Sequence, residues 1–311
     1  MIRFVLFRLL QTIIALFGIS ILIFLLVRAT GNPIDLMRQN IASEEDVARM
    51  KADWGLDKPY PEQYWLFIKG AVRGDFGKSI LRGRPVMEMI SQAAPNSIKL
   101  GLITFIVSMT VGTLLGVVAA IKRDSWIDNI VKFLAVLGQG LPGFWVAIVS
   151  IWFFATPDFF GRPLLPSFGT AHAANYVLPV GCLAFFLLPG MMRLVRSSML
   201  DVLDSEYVKL ARIKGLPERM VIWKHAFRNA LIAPLTVAGM LLAMLVSGAV
   251  VIETVFAWPG LGKLGVDAMI ARDFPVSQAL VVLVATLILL INLIVDITYA
   301  YIDPQIRYQS T

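Results

Sequence analysis

The chain reads as an all-α membrane protein with six transmembrane helices, and three observations carry that reading. Apolar residues make up 58% of the 311-residue sequence and charged residues only 16%, with a mean hydropathy of +0.75; soluble domains hold about 45–50% and about 25%. The excess falls in six runs, residues 9–27, 98–121, 130–154, 176–194, 231–255 and 278–300. Each reaches the roughly 20 residues that a helix needs to cross about 30 Å of hydrocarbon. Lipid offers backbone amides no partner, so helices are the default.

The first run follows Arg3 and Arg8 but is too long for the 7–15-residue (about) apolar core of a secretory signal. It ends at Arg28-Ala-Thr-Gly31 without a small-x-small cleavage pattern, which predicts a retained span. Residues 29–96 then carry basic and acidic side chains in balance, with Trp54, Trp65 and Phe67 to supply apolar surface, and are expected to form an external subdomain. In the second run Gly112-x-x-x-Gly116 is a pattern that lets helix backbones approach closely. The third contains Gly138-Gln-Gly140-Leu-Pro142-Gly143, which should loosen or kink a helix, because proline removes a donor and clashes with the preceding turn. Irregular backbone survives in a bilayer only where protein or water meets it. Gln139, Gly140, Pro142 and Gly143 are therefore candidates for lining a pathway, with plain helix packing as the alternative. The fourth run holds Pro179 and Pro189-Gly190, the fifth Pro234, Gly239 and Gly248.

Orientation follows from basic residues near the span ends. Arg3 and Arg8 precede the first span, and Lys122, Arg123 and Lys132 lie at the junction of the second and third. Eight more fall between Arg193 and Arg228. The alternate loops hold only Arg162, and Lys263 with Arg272. Both ends of the chain are expected in the cytoplasm, which divides it into a first tail and span (1–28), the external segment (29–96) and a core of five spans (97–311). A cysteine placed at Lys51 should then be labelled from outside. This asymmetry accounts for the net charge of +7 without a nucleic-acid partner.

Chemistry-bearing residues are few. Cys182 is the sole cysteine, and His172 and His225 fall on opposite sides of the membrane, so neither a disulfide nor a metal cluster is expected. Gly260-Leu-Gly262-Lys-Leu-Gly265 spells a dinucleotide fingerprint but lacks the strand that must precede one. No Walker A pattern occurs and no nucleophile–base pair can be assembled, so neither an enzyme nor a bound cofactor is expected. Ionisable residues inside the spans are few, and Asp296 and Glu253 stand close enough to water that snorkelling or a local partner suffices. That is too few at the midplane for an ion-coupled secondary transporter, the rival from another class.

The loop 195–229 is long, basic and helix-prone. Asp204-Ser205 offers an N-cap before Glu206-Tyr-Val-Lys-Leu-Ala-Arg-Ile-Lys214, Gly215 suits a C′ position, and Pro217 restarts a second helix. Tyr207, Leu210, Ala211 and the stem of Lys214 form one apolar stripe. Such a helix either lies on the headgroups or docks onto a cytoplasmic partner.

The segment Ala211-Arg-Ile-Lys-Gly215-Leu-Pro217, with His225-Ala-Phe-Arg-Asn-Ala-Leu-Ile232 after it, resembles the coupling motif of peptide/nickel-type permeases of binding-protein-dependent ABC importers. Further matches run along nearly the whole chain: Arg28-Ala-Thr-Gly-Asn-Pro33, Gly74-Asp-Phe-Gly77-Lys-Ser79 with Arg84-Pro85-Val86, Val251-Ile-Glu253-Thr-Val-Phe-Ala-Trp258-Pro-Gly260-Leu-Gly262, Arg272-Asp273-Phe-Pro-Val276 and Ile302-Asp303-Pro304-Gln-Ile-Arg307-Tyr308. The chain departs from the general importer motif in having Lys209 where glutamate is usual, with Glu206 one turn earlier, and His225-Ala226 where Leu-Pro often closes it. The resemblance implies a subunit of the bacterial inner membrane. It also implies a second permease, two cytoplasmic ATPase chains that bind the ATP, and an external solute-binding protein. Its cargo would be peptides first, nickel or another small solute second. Glu206, Tyr207, Leu210, Ala211, Lys214, Gly215, Leu216 and Pro217 would then dock the ATPase.

Overall fold

The computed structural model describes residues 2–29, 45 and 55–302. Lys51, Trp54, most of the Arg28–Pro33 match and the tail from Asp303 lie outside the described residues. In chain order the helices are α1 (Ile2–Ala29), α2 (Tyr60–Val72), α3 (Val86–Ile121), α4 (Trp126–Gly140), α5 (Gly143–Ala155), α6 (Ala174–Leu203), α7 (Glu206–Ile213), α8 (Glu218–Ala230), α9 (Ile232–Val255), α10 (Leu261–Ile270) and α11 (Phe274–Ile302). Four of them, α1, α3, α6 and α11, are long and apolar enough to cross a membrane alone. The bent pairs α4–α5 and α8–α9 raise the number to six if each pair makes one crossing. Large apolar side chains such as Ile14, Ile106, Phe133 and Val136 stay exposed on these helices, as lipid-facing surfaces must.

The chain divides into two compact units, residues 1–97 with 259–293 and residues 98–258 with 294–311. In the first, α3 begins at Val86, well ahead of the apolar run expected from residue 98. Its opening turns are amphipathic: Val86, Met89, Ile90 and Ala93 stand at i, i+3, i+4 and i+7. They pack on Leu261, Ala268, Val276, Ala279 and Leu280. Pro95 lies inside this helix. The Ser79 hydroxyl donates to the Asp273 carboxylate, which also accepts the Ile80 amide at 3.1 Å. The Gly74–Val86 and Arg272–Val276 stretches, far apart in sequence, are thus one hydrogen-bonded feature. Tyr64 of α2 meets Phe17 and Phe24 of α1 edge to face and shares a 2.8 Å hydrogen bond with Ser20.

In the second unit the expected kink of the third span is a break of 107°. Leu141 and Pro142 are both extended (ψ 134 and 135), because a residue before proline is driven out of the α region. α6 runs unbroken through Pro179 and Pro189 to Leu203, past the end of its apolar run. Glu253, near the C-terminal end of α9, is buried at 1% exposure.

Candidate functional site

The α7 region is a short helix on a rigid turn. Ser205 occupies the N-cap with an extended backbone, but the expected side-chain cap is not made. Its hydroxyl donates instead to the Val202 carbonyl at 2.5 Å. At the other end the Gly215 amide donates to the Arg212 carbonyl (2.9 Å) and the Leu216 amide to the Ala211 carbonyl (3.4 Å). This is the paired bonding of a Schellman turn, with its glycine at φ +73. Leu216 packs against the core below, and Pro217 opens α8 as its N-cap.

α8 contains a π-helical stretch, Val221–Phe227. The wider winding puts Val221 and Ala226, five residues apart, on one inward face, where an α-helix would separate them. Both are fully buried with Ala230, Val195 and Met199 of α6, and Val208 and Ala211 of α7. The expected α7 stripe is therefore divided. Ala211 turns inward with Val208, its small side chain allowing close approach to α6. Tyr207 (44% exposed), Leu210 (51%) and Ile213 (81%) face outward with Lys214. A free-standing apolar face on a charged loop is the mark of an interaction surface.

Charges brace the turn. Arg212 grips Glu218 across it with both arms of its guanidinium, at 2.8 and 3.3 Å. This hydrogen bond holds the Glu218 carboxyl below its usual range and raises Arg212. The Glu206 carboxylate accepts from Lys209 at 2.8 Å and raises that ammonium. Asn229 donates to the Tyr207 hydroxyl at 3.1 Å, tying α8 to α7. Beside the turn, Pro217, Arg219, Met220, Trp223 and Lys224 line an open cavity of about 520 Å³.

At the α4–α5 break the pathway candidates separate. Gln139, Gly140 and Pro142 are exposed. Gly143 sits against the Phe186 ring, where an added Cβ would come within 2.6 Å. Neighbouring Gly138 is buried, and a Cβ there would meet Pro189 at 2.5 Å and the Phe185 carbonyl at 2.6 Å. The cluster both breaks a helix and packs one.

A second polar site was not singled out from the sequence. Asp128, in the first turn of α4, has no exposed side-chain surface. Its two oxygens accept from Arg196 Nε and Nη2 (2.7 and 2.8 Å), Lys132 Nζ (2.8 Å) and the Asp124 amide (3.1 Å). Ser125 caps the same helix by accepting the Asp128 amide. Ser125-Trp-Ile-Asp128 is a legible capping signature; its pairing with a residue 68 positions away is not.

The sequence as a whole matches known protein families. The family described as "Binding-protein-dependent transport system inner membrane component" matches residues 112–308, and its N-terminal companion matches residues 1–101. A Brucella abortus protein named as a peptide transport system permease is 40% identical, covering 97% of this chain and 98% of the relative. The oligopeptide transport system permease AppB of Bacillus subtilis is 37% identical (99% and 100%). The glutathione transport system permease GsiC of Escherichia coli is 36% identical (99% and 100%). The crystal structure of an amino acid ABC transporter with histidines shares the fold at a TM-score of 0.51 and 16% identity, over 68% of this chain and 92% of that one. The described residues form an all-α fold with four to six candidate spans, and the chain belongs to the inner-membrane permease family of binding-protein-dependent transport systems.

Proposed function

We propose that this subunit forms half of an ATP-driven import pathway for di- or oligopeptides, delivered by an external solute-binding protein. It pairs with a second permease in the bacterial inner membrane and is moved by two cytoplasmic ATPase chains that hold the nucleotide. Both ends of the chain and the loop 195–229 face the cytoplasm, and residues 29–96 face outward. The chain itself carries no cofactor. The observation that carries this reading is α7: its inward face is locked by Val208 and Ala211, its end by the Gly215 turn, and its outward face is left apolar. A helix held this firmly can transmit a rigid-body movement, as a loose loop cannot. Peptide cargo rests on relatives named for peptides, oligopeptides and glutathione.

Reconstitution tests this reading. The complex purified in mild detergent should retain two ATPase chains and a second permease. In proteoliposomes, uptake of a labelled tripeptide should require ATP and the binding protein. Uptake that persists without the ATPases contradicts it. A cysteine at Lys51 labelled only from the cytoplasm contradicts the topology.

A further inference from the structure

We propose that the Asp128–Arg196 pair is a strut that makes α4 move as one body with α7, so that displacement of α7 reaches the break at Leu141 and Pro142. This rests on the importer reading above. Val208 and Ala211 of α7 share a buried core with Val195 and Met199 of α6. Arg196 stands between those two α6 residues in sequence, and its guanidinium fork holds Asp128 at the start of α4. Farther along, Val131 and Ala135 of α4 pack with Met192 of α6, and Gly138 rests on Pro189. α4 is thus fastened to α6 from its first turn to its last.

The pair is more than a cap or a charge balance. Ser125 already caps α4, and Lys132, on the same helix, already places a cation on the carboxylate at 2.8 Å. Arg196 adds what neither supplies: a planar two-point contact from another helix, which fixes angle as well as distance. Arg196 and Asp128 are positioning residues; neither is assigned contact with cargo or nucleotide.

The test uses the whole complex with its ATPases in lipid nanodiscs, with Cys182→Ala and spin labels at exposed Lys209 and Val136. Separations are compared without nucleotide and after trapping with ATP and vanadate. With Arg196 present the separation should change by less than about 1–2 Å, the scale of ordinary helix shifts. With Arg196→Gln it should change by more than this, and labelled tripeptide moved per ATP hydrolysed should fall roughly tenfold, the usual scale of altered coupling. Arg196→Lys, which keeps the charge without the fork, should fall between the two. A separation that changes with Arg196 present overturns the strut, and so does one that stays constant in both proteins. The first of these needs no variant to fold. If no ATPase chains accompany the purified protein, the importer reading fails and the strut with it; if they do, a negative label result removes the strut alone.

Discussion

The α4–α5 break and the α7–α8 turn are both built from glycine and proline, yet they use them in opposite ways. At the break, proline bends the chain: Leu141 is forced extended ahead of Pro142, and Gly138 is needed only because Pro189 and the Phe185 carbonyl leave no room for a Cβ. At the turn, glycine bends the chain: Gly215 sits at φ +73 with nothing within 4 Å of an added Cβ, and Pro217 only opens the next helix. One glycine answers to space, the other to backbone conformation. Substitutions should therefore damage the two places differently.

The largest loss is expected at Gly138. Gly138→Val drives side-chain atoms into backbone and proline, and overpacking of this kind costs about 1–3 kcal/mol, occasionally more. Thermal unfolding in detergent should show a clear fall in midpoint, where Gly140→Val, at an exposed site with no neighbour within 4 Å, should show far less. Ala211→Asp comes next, since it buries a charge without a partner in the α6–α7–α8 core. It should lower stability, whereas Leu210→Asp on the outward face should leave stability intact and reduce ATPase retention.

Gly215→Val meets no steric obstacle but must hold a β-branched residue at positive φ, at a cost of order 1 kcal/mol or more. The spans should still insert, while ATP hydrolysis becomes uncoupled from peptide uptake; Gly215→Asn, which tolerates this conformation better, should keep most coupling. An equal melting loss for Gly215→Val and Gly138→Val would erase the distinction.

The smallest effect concerns Arg212 and Glu218. The Glu218 carboxyl is held below its ordinary range by the arginine's hydrogen bond. The pair's contribution is therefore present above the usual glutamate pKa and lost as pH falls through the lowered one. Both side chains are largely exposed, so Glu218→Gln should change stability by no more than about 0.2–1 kcal/mol, less at high salt.

Much of this was legible because lipid imposes a coarse rule: a run of about 20 apolar residues must be helical. The six runs, the glycine turn at Gly215 and the interruption at Gly138–Gly143 could all be read directly. The early start of α3 could not, since Val86, Met89, Ile90 and Ala93 form a half-polar face whose partners lie near residue 270. Nor could the face of α7: spacing alone groups Ala211 with Tyr207 and Leu210, and only the neighbouring α6 and α8 turn it inward. Asp128 announced a cap in its local sequence, but its bond to Arg196 is set by the packing of α4 on α6.

The central claim is that the outward face of α7 docks an ATPase rather than resting on lipid. Its most direct measurement is the amount of ATPase retained by purified Leu210→Asp/Ile213→Asp beside Lys214→Glu. If α7 docks through its apolar face, the first protein loses far more of the ATPase than the second. If the first keeps its ATPase and charge reversal at Lys214 is the damaging change, α7 lies on the headgroups and the account is wrong.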